Sequence, residues 1–228
     1  MIASKREFTI GAVLMAGFTA VLILIFLPLF GGKNGLDYMD DLYNSISKES
    51  ANYLPQLQVR AREFEGRPVS VTLVLADPRQ AEETAPLFAE GGATVEVTGS
   101  NLKVEGDLGR ILANCLTDAV DMFENAGDSI REKYKTPERR VVYNWWFALK
   151  AAEKQLNKQK KFQEANFIGT VNKKGVECSY NYYTIEPKKI TEKLGTVVFS
   201  LAFYVVYTVW YGFAIMYLFQ GLGLNLEH

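Results

Sequence analysis

Histidine is absent from all but the last of the 228 residues, where it stands as His228. Leu226, Glu227 and His228 are read as the remnant of a polyhistidine expression tag and set aside. What is left lacks both the commonest general base and the commonest metal ligand. That argues against haem, catalytic zinc and Ser-His-Asp chemistry, so no cofactor and no enzymatic activity are expected. Cysteine is nearly as scarce. Cys115 and Cys178 form no CxxC pair, and are read either as two small buried thiols or, outside the cytoplasm, as one disulfide.

An excess of charge of either sign is also missing. The formal net charge is −1, which speaks against a nucleic-acid binder. There is no tandem repeat and no low-complexity tract. The segment GDLGR at 106–110 opens a helix but lacks the lysine and spacing of a phosphate loop, and Asp107 is read there as an N-cap. Asp37, Asp40, Asp41 and Glu49 do not follow the alternating oxygen spacing of a calcium loop.

Charge is locally absent from two long runs, 8–30 and 194–225. About 20 helical residues suffice to cross hydrocarbon, so both are read as transmembrane helices. The first is longer than a signal-peptide core and is followed by no small-x-small site, so it is read as an uncleaved anchor. Lys5 and Arg6 precede it, which favours a cytoplasmic N-terminus. Lys188, Lys189 and Lys193 precede the second helix and argue the other way. The first helix usually dominates, so the expected product is an integral protein of a plasma or bacterial inner membrane, with the large domain extracytoplasmic.

Between the spans the pattern is that of an α+β domain, with a mixed or antiparallel sheet and helices on one face, inserted between two transmembrane helices. The expected layout is a tail at 1–7, a span at 8–30, a domain at 31–193, a span at 194–220 and a short tail at 221–228. Apolar residues at helical spacing from Leu36 predict helix over 37–64, broken near Pro55. Val69, Val71, Leu73 and Leu75 alternate as a strand. Asp77-Pro78 starts a helix, which Pro86 distorts or shortens and Gly91-Gly92 ends. Residues 93–106 read as a hairpin, and Leu108 to Phe123 as a helix with a wide apolar face, completing a β-α-β-β-α unit at 68–125.

From 129 the basic part begins. Ser129 and Glu132 suggest a capping box. Thr136-Pro137-Glu138 starts a helix whose Val141, Trp145, Leu149, Ala152 and Leu156 make one buried stripe. Residues 168–184 suggest a hairpin turning at 172–175, with a helical lead-in as the competing reading. Gly31 to Ser129 holds 8 Lys/Arg against 17 Asp/Glu, while Ile130 to Lys193 holds 15 against 7. The two halves are suited to pack against each other.

Three groups are candidates for function. Trp145, Trp146, Lys150, Lys154, Lys158 and Lys161 suggest contact with anionic lipid or an acidic partner, against the plainer reading of a solvated helix face with tryptophans in the core. Ala12, Ala16 and Ala20, with Gly17 alongside, form a small-residue stripe on which another helix can pack. Ser200, Tyr204, Tyr207, Thr208 and Tyr211 put hydroxyls on one face of the second span, and hydroxyls in hydrocarbon require partners. These come from the first helix, a second copy of the chain or another membrane subunit.

The leading expectation is therefore a non-enzymatic, membrane-anchored interaction or accessory subunit, with membrane lipids and a self-associated or separate membrane subunit as partners and no nucleic acid. A homo-oligomeric channel lined by the second helix is the first alternative. A membrane ligand sensor truncated before its output domain is the second.

Overall fold

The computed structural model describes residues 2–224, so the tag remnant lies outside the described residues. In chain order the elements are α1 (Lys5–Phe26), α2 (Gly35–Ser50), α3 (Leu54–Ala61) with a 3-10 turn (Arg62–Phe64), β1 (Pro68–Val74) and α4 (Pro78–Glu90). Next come β2 (Thr94–Thr98), β3 (Asn101–Asp107), α5 (Leu108–Phe123), α6 (Gly127–Tyr134) and α7 (Glu138–Lys158). The last are α8 (Phe162–Val171), a π turn (Asn172–Val176), α9 (Glu177–Asn181) and α10 (Ile190–Gly221). The chain divides into two compact units, one of residues up to Ser47 and from Pro187 onward, the other Lys48–Glu186.

The Lys48–Glu186 unit is mostly helical around a three-stranded antiparallel sheet of order β1-β3-β2. Alternation sorts the sheet faces. Val69, Val71 and Leu73 of β1 and Leu102 and Val104 of β3 are buried, while Ser70, Thr72 and Lys103 between them face solvent. Leu112, Cys115, Leu116, Ala119 and Met122 of α5 are almost wholly buried, making it the central helix of the core. Burial of each large apolar side chain contributes about 1.5–3 kcal/mol.

Local chemistry sets the ends of these elements. Asp77 caps α4 by accepting from the Gln80 amide at 2.8 Å, with Pro78 at the first helical position. Pro86 sits inside α4 without shortening it, and the helix runs to Glu90 before Gly92 at φ +76° turns the chain. Asp107 caps α5 through the Arg110 amide (3.0 Å), and its other oxygen accepts from the Gly66 amide (2.5 Å).

Two sequence expectations are corrected. Ser129 and Glu132 do not form a capping box, because α6 begins at Gly127 and the Ser129 amide bonds the Ala126 carbonyl at 3.1 Å. The hairpin within 168–184 is not formed. Residues 162–181 are helical throughout, because Ala165, Ile168, Val171, Val176 and Ser179 bury one side at steps of three to five. The segment is helical, as in the competing reading, but α9 ends at Asn181 and does not continue into α10, and the mixed-or-antiparallel sheet resolves as antiparallel. Cys115 and Cys178 are free thiols, the first fully buried and the second half-buried, so the disulfide is not formed.

Buried polar groups tie the unit together. Asp118 is 0% exposed and accepts from Trp145 Nε1, Tyr134 Oη and Lys133 Nζ, each at 2.7 Å, joining α5, α6 and α7. Burial, with Asp118's charge beside it, pushes the Tyr134 phenol far above its ordinary value. Lys48 is 1% exposed and donates to the Ile185 carbonyl (2.5 Å) and Asn125 Oδ1 (3.2 Å), so the two ends of the unit are tied together. Desolvation holds that ammonium below the usual lysine range.

In the other unit, α1 and α10 are the two helices, among the described residues, long and apolar enough to cross a membrane. They run antiparallel. Gly11 lies against Leu218, where a Cβ would come within 2.6 Å of the Leu218 nitrogen, and Gly221 lies equally close to Phe8. Only glycine admits backbones at that separation. The 32 residues of α10 extend about 48 Å at 1.5 Å per residue, longer than the ~30 Å of hydrocarbon. Its N-terminal part is flanked by α2, where Tyr43 and Ser200 hydroxyls bond at 2.7 Å and the Lys188 amide bonds the Ser45 carbonyl at 3.1 Å.

Candidate functional site

The Lys48–Glu186 unit carries a polar groove of about 630 Å³ between α7 and the α8–π turn–α9 segment. One wall comes from α7, where Trp146, Lys150, Glu153 and Asn157 follow steps of four, three and four. Those steps keep them on one helix face, beside the buried stripe of Val141, Trp145, Leu149, Ala152 and Leu156. The facing wall repeats the device, with Asn166, Thr170, Lys173 and Glu177 at helical steps. Gly169 leaves room between the walls, since a Cβ there would lie 3.0 Å from the Glu153 carboxylate.

The π turn inserts one extra residue and sets Asn172 beneath the groove. Its amide nitrogen donates to the Trp146 carbonyl at 3.1 Å, which orients the side chain. Its Oδ1 has no hydrogen-bond partner although the residue is only 7% exposed. An unpaired buried carbonyl costs on the order of 1–3 kcal/mol, and it is the one such side-chain atom among the described residues.

Five charges line the groove, and among the described residues none of Lys150, Lys173, Lys174, Glu153 and Glu177 is in an ion pair. Lys150 Nζ rests 4.9 Å over the Trp146 ring and Lys174 Nζ 4.8 Å over Tyr53. At the Trp146 end a second hollow of about 340 Å³, walled by Val142, Tyr143 and Tyr180, shares Trp146 and Glu177 with the groove. The surface thus runs from charged and amide-rich to aromatic.

A further cleft of about 610 Å³ contrasts with it. There Glu83 is engaged by Arg140 at 2.6 Å and Arg79 at 2.9 Å. Burial alone would raise the Glu83 carboxyl, but hydrogen bonds from Arg140, Arg79 and Asn144 outweigh it and the net shift is downward. Its carboxylate is held in ion pairs, whereas among the described residues the groove's charges are in none.

Of the residues singled out from the sequence, Trp146 and Lys150 line the groove. Trp145 is in the core on Asp118, Lys154 and Lys158 are solvent-exposed, and Lys161 reaches the Pro68 carbonyl at the edge of β1 (3.4 Å). The groove also holds Asn166, Asn172, Lys173, Lys174 and Glu177, which sequence reasoning missed by treating 172–175 as a hairpin turn. The helical recurrence of Ala165, Ile168 and Val171 was the signal that would have found them.

The hydroxyl face of α10 is divided. Tyr207 donates to the Phe18 carbonyl at 3.1 Å and stacks on the Phe18 ring at 4.3 Å. Thr208 bonds back to the Tyr204 carbonyl, and Ser200 bonds Val197 O (2.8 Å) as well as Tyr43. Tyr204 and Tyr211 remain exposed, at 66% and 43%. Trp210 donates to the Leu14 carbonyl at 3.1 Å over Gly17. The α1 side of this pairing is Gly11, Leu14, Gly17 and Phe18. Ala12 is half-buried, while Ala16 and Ala20 are exposed.

Comparison with protein-family models, with curated proteins and with solved structures gives no match.

Proposed function

We propose that the chain is a non-enzymatic, membrane-anchored interaction subunit. In this reading α1 and α10 hold it in the bilayer as an antiparallel pair, and the Lys48–Glu186 unit docks a polar segment of a partner protein in the α7/α8 groove. The observation that carries the reading is the groove itself: five charges of both signs, in no ion pair among the described residues, line it beside a buried, unpartnered Asn172 carbonyl. Mixed, unpaired charges favour specificity of docking over raw affinity. Trp146 and Tyr143 supply the aromatic surface typical of binding hot spots. We place the unit outside the cytoplasm, on the basic flank of α1.

A pore is less well supported than an anchor. Tyr207, Thr208 and Ser200 spend their hydroxyls on bonds within the chain, which leaves Tyr204 and Tyr211 as the candidate polar lining of α10.

The test is photo-crosslinking in native membranes from a reactive residue at Asn166, with the same residue at the exposed position Glu96 as control. A discrete adduct from Asn166, absent from Glu96 and lost on Lys150→Glu with Lys173→Glu, supports the reading. Identical patterns from both positions contradict it.

A further inference from the structure

A second concavity lies in the unit that holds α1 and α10. It is a furrow of about 660 Å³ walled by the end of α1, the start of α2 and the N-terminal half of α10. Val21, Ile25, Leu36, Met39 and Phe203 make its lining almost wholly apolar, and the Tyr43–Ser200 hydroxyl pair bonds to itself. The one other hydroxyl of the lining, that of Tyr204, sits on a side chain 66% exposed at the furrow's edge. In water such a surface is unfavourable. Beside two helices of spanning length, it faces the solvent it suits, which is hydrocarbon.

Charge above the furrow narrows the occupant. Lys193 precedes Ser200 by seven residues, so it stands on the same face of α10 about 10 Å nearer the N-terminus. Lys188 and Lys189 lie just before the helix, and the Lys188 amide is fixed to Ser45 of α2, which also walls the furrow. Among the described residues none of these three ammonium groups is in an ion pair, whereas Lys33 is held by Asp41. An apolar slot with free cations about two helical turns above it matches one molecule: a phospholipid with its acyl chain in the slot and its phosphate among the lysines.

We propose that the α1/α2/α10 furrow is a specific site for one anionic phospholipid, held by its acyl chain along Ile25, Met39 and Phe203 and by its phosphate at Lys188, Lys189 and Lys193. The site rests on the reading of α1 and α10 as membrane spans and is independent of the groove on the other unit. The lipid seals α2 against α10 beside the Tyr43–Ser200 bond.

The experiment uses the full chain in vesicles of phosphatidylglycerol and phosphatidylcholine, followed by gentle extraction and native mass spectrometry. Wild type is expected to retain one phosphatidylglycerol with a preference of about tenfold over phosphatidylcholine. Lys188→Gln, Lys189→Gln and Lys193→Gln together should abolish the preference while lipid is still retained. Met39→Trp should fill the slot and remove bound lipid of either kind. Helix content by circular dichroism confirms that each variant folds, and vesicle flotation reads membrane insertion separately. Failure to float would sink the spans, and the site with them. Flotation with no retained lipid, or with equal retention of both lipids in wild type and variants, would overturn the lipid site alone.

Discussion

Trp145 Nε1 lies 2.7 Å from a carboxylate oxygen of Asp118, and the two residues are 1% and 0% exposed. A buried carboxylate is stable when its lone pairs are filled, and Asp118 receives three donors from three side chains. Trp145, a residue the sequence offers for surface contact, is thereby the tie between α5 and α7. Its neighbour Trp146, turned by about 100° on the helix, is left to the groove.

Asp118→Ala is expected to destabilise the Lys48–Glu186 unit by about 3 kcal/mol or more, because it strands the indole donor and unseats Lys133. The thermal midpoint should fall on the order of 10 °C. Trp145→Phe keeps most of the ring and loses one donor to the carboxylate, so it should cost less, about 1–3 kcal/mol. Thermal denaturation of the two variants beside wild type checks both, and equal melting of all three contradicts the tie.

Glu83 makes stability depend on acid. Its carboxyl is held below the ordinary glutamate value of 4.5, chiefly by Arg140 and Arg79 against the opposing effect of burial. A lowered folded-state value means that the unfolded chain binds the proton first. The stabilisation is therefore complete above about pH 4.5 and is lost as pH falls through the folded value. Glu83→Gln should remove this part of the acid-side slope while leaving the rest, as read from denaturant midpoints across that range.

Gly11 and Gly221 set the closeness of α1 and α10. Gly11→Leu should push α10 away and expose Trp210, which now bonds the Leu14 carbonyl. Quenching of tryptophan fluorescence by brominated lipid should rise in the variant, with Trp145 and Trp146 as a constant background. Unchanged quenching would mean that the pairing does not depend on this contact.

Orientation is open to direct reading. Cys115 is fully buried and burial pushes its thiol well up, so it stays silent towards labels in the folded protein. With Cys178→Ser as background, a cysteine at the exposed position Glu96 is expected to react with an impermeant maleimide in intact cells. Reaction only after lysis would put the unit in the cytoplasm.

Much of the fold was legible where periodicity and end signals agreed. Val69, Val71 and Leu73 announced β1, Asp77-Pro78 announced α4, and the stripe through Trp145 announced α7. That stripe already assigned Trp145 to the core, although the sequence alone left it beside Trp146 as a contact candidate. The α8–α9 segment was illegible because Val176, Cys178, Tyr180 and Tyr182 alternate like a strand while a π turn interrupts the helical period. Half the groove comes from that segment, so half the candidate site was hidden with it. In α10 the hydroxyl face was visible, but its division between α1, α2 and its own backbone depends on contacts distant in sequence.

The central claim is that the α7/α8 groove is occupied at the membrane. Amide hydrogen exchange of the π turn, Asn172–Val176, measured in native membranes and again in the purified protein, tests it most directly. Slower exchange in membranes, with β2 unchanged between the two, is the result expected of a docked partner. Equal exchange of the π turn in both would contradict it.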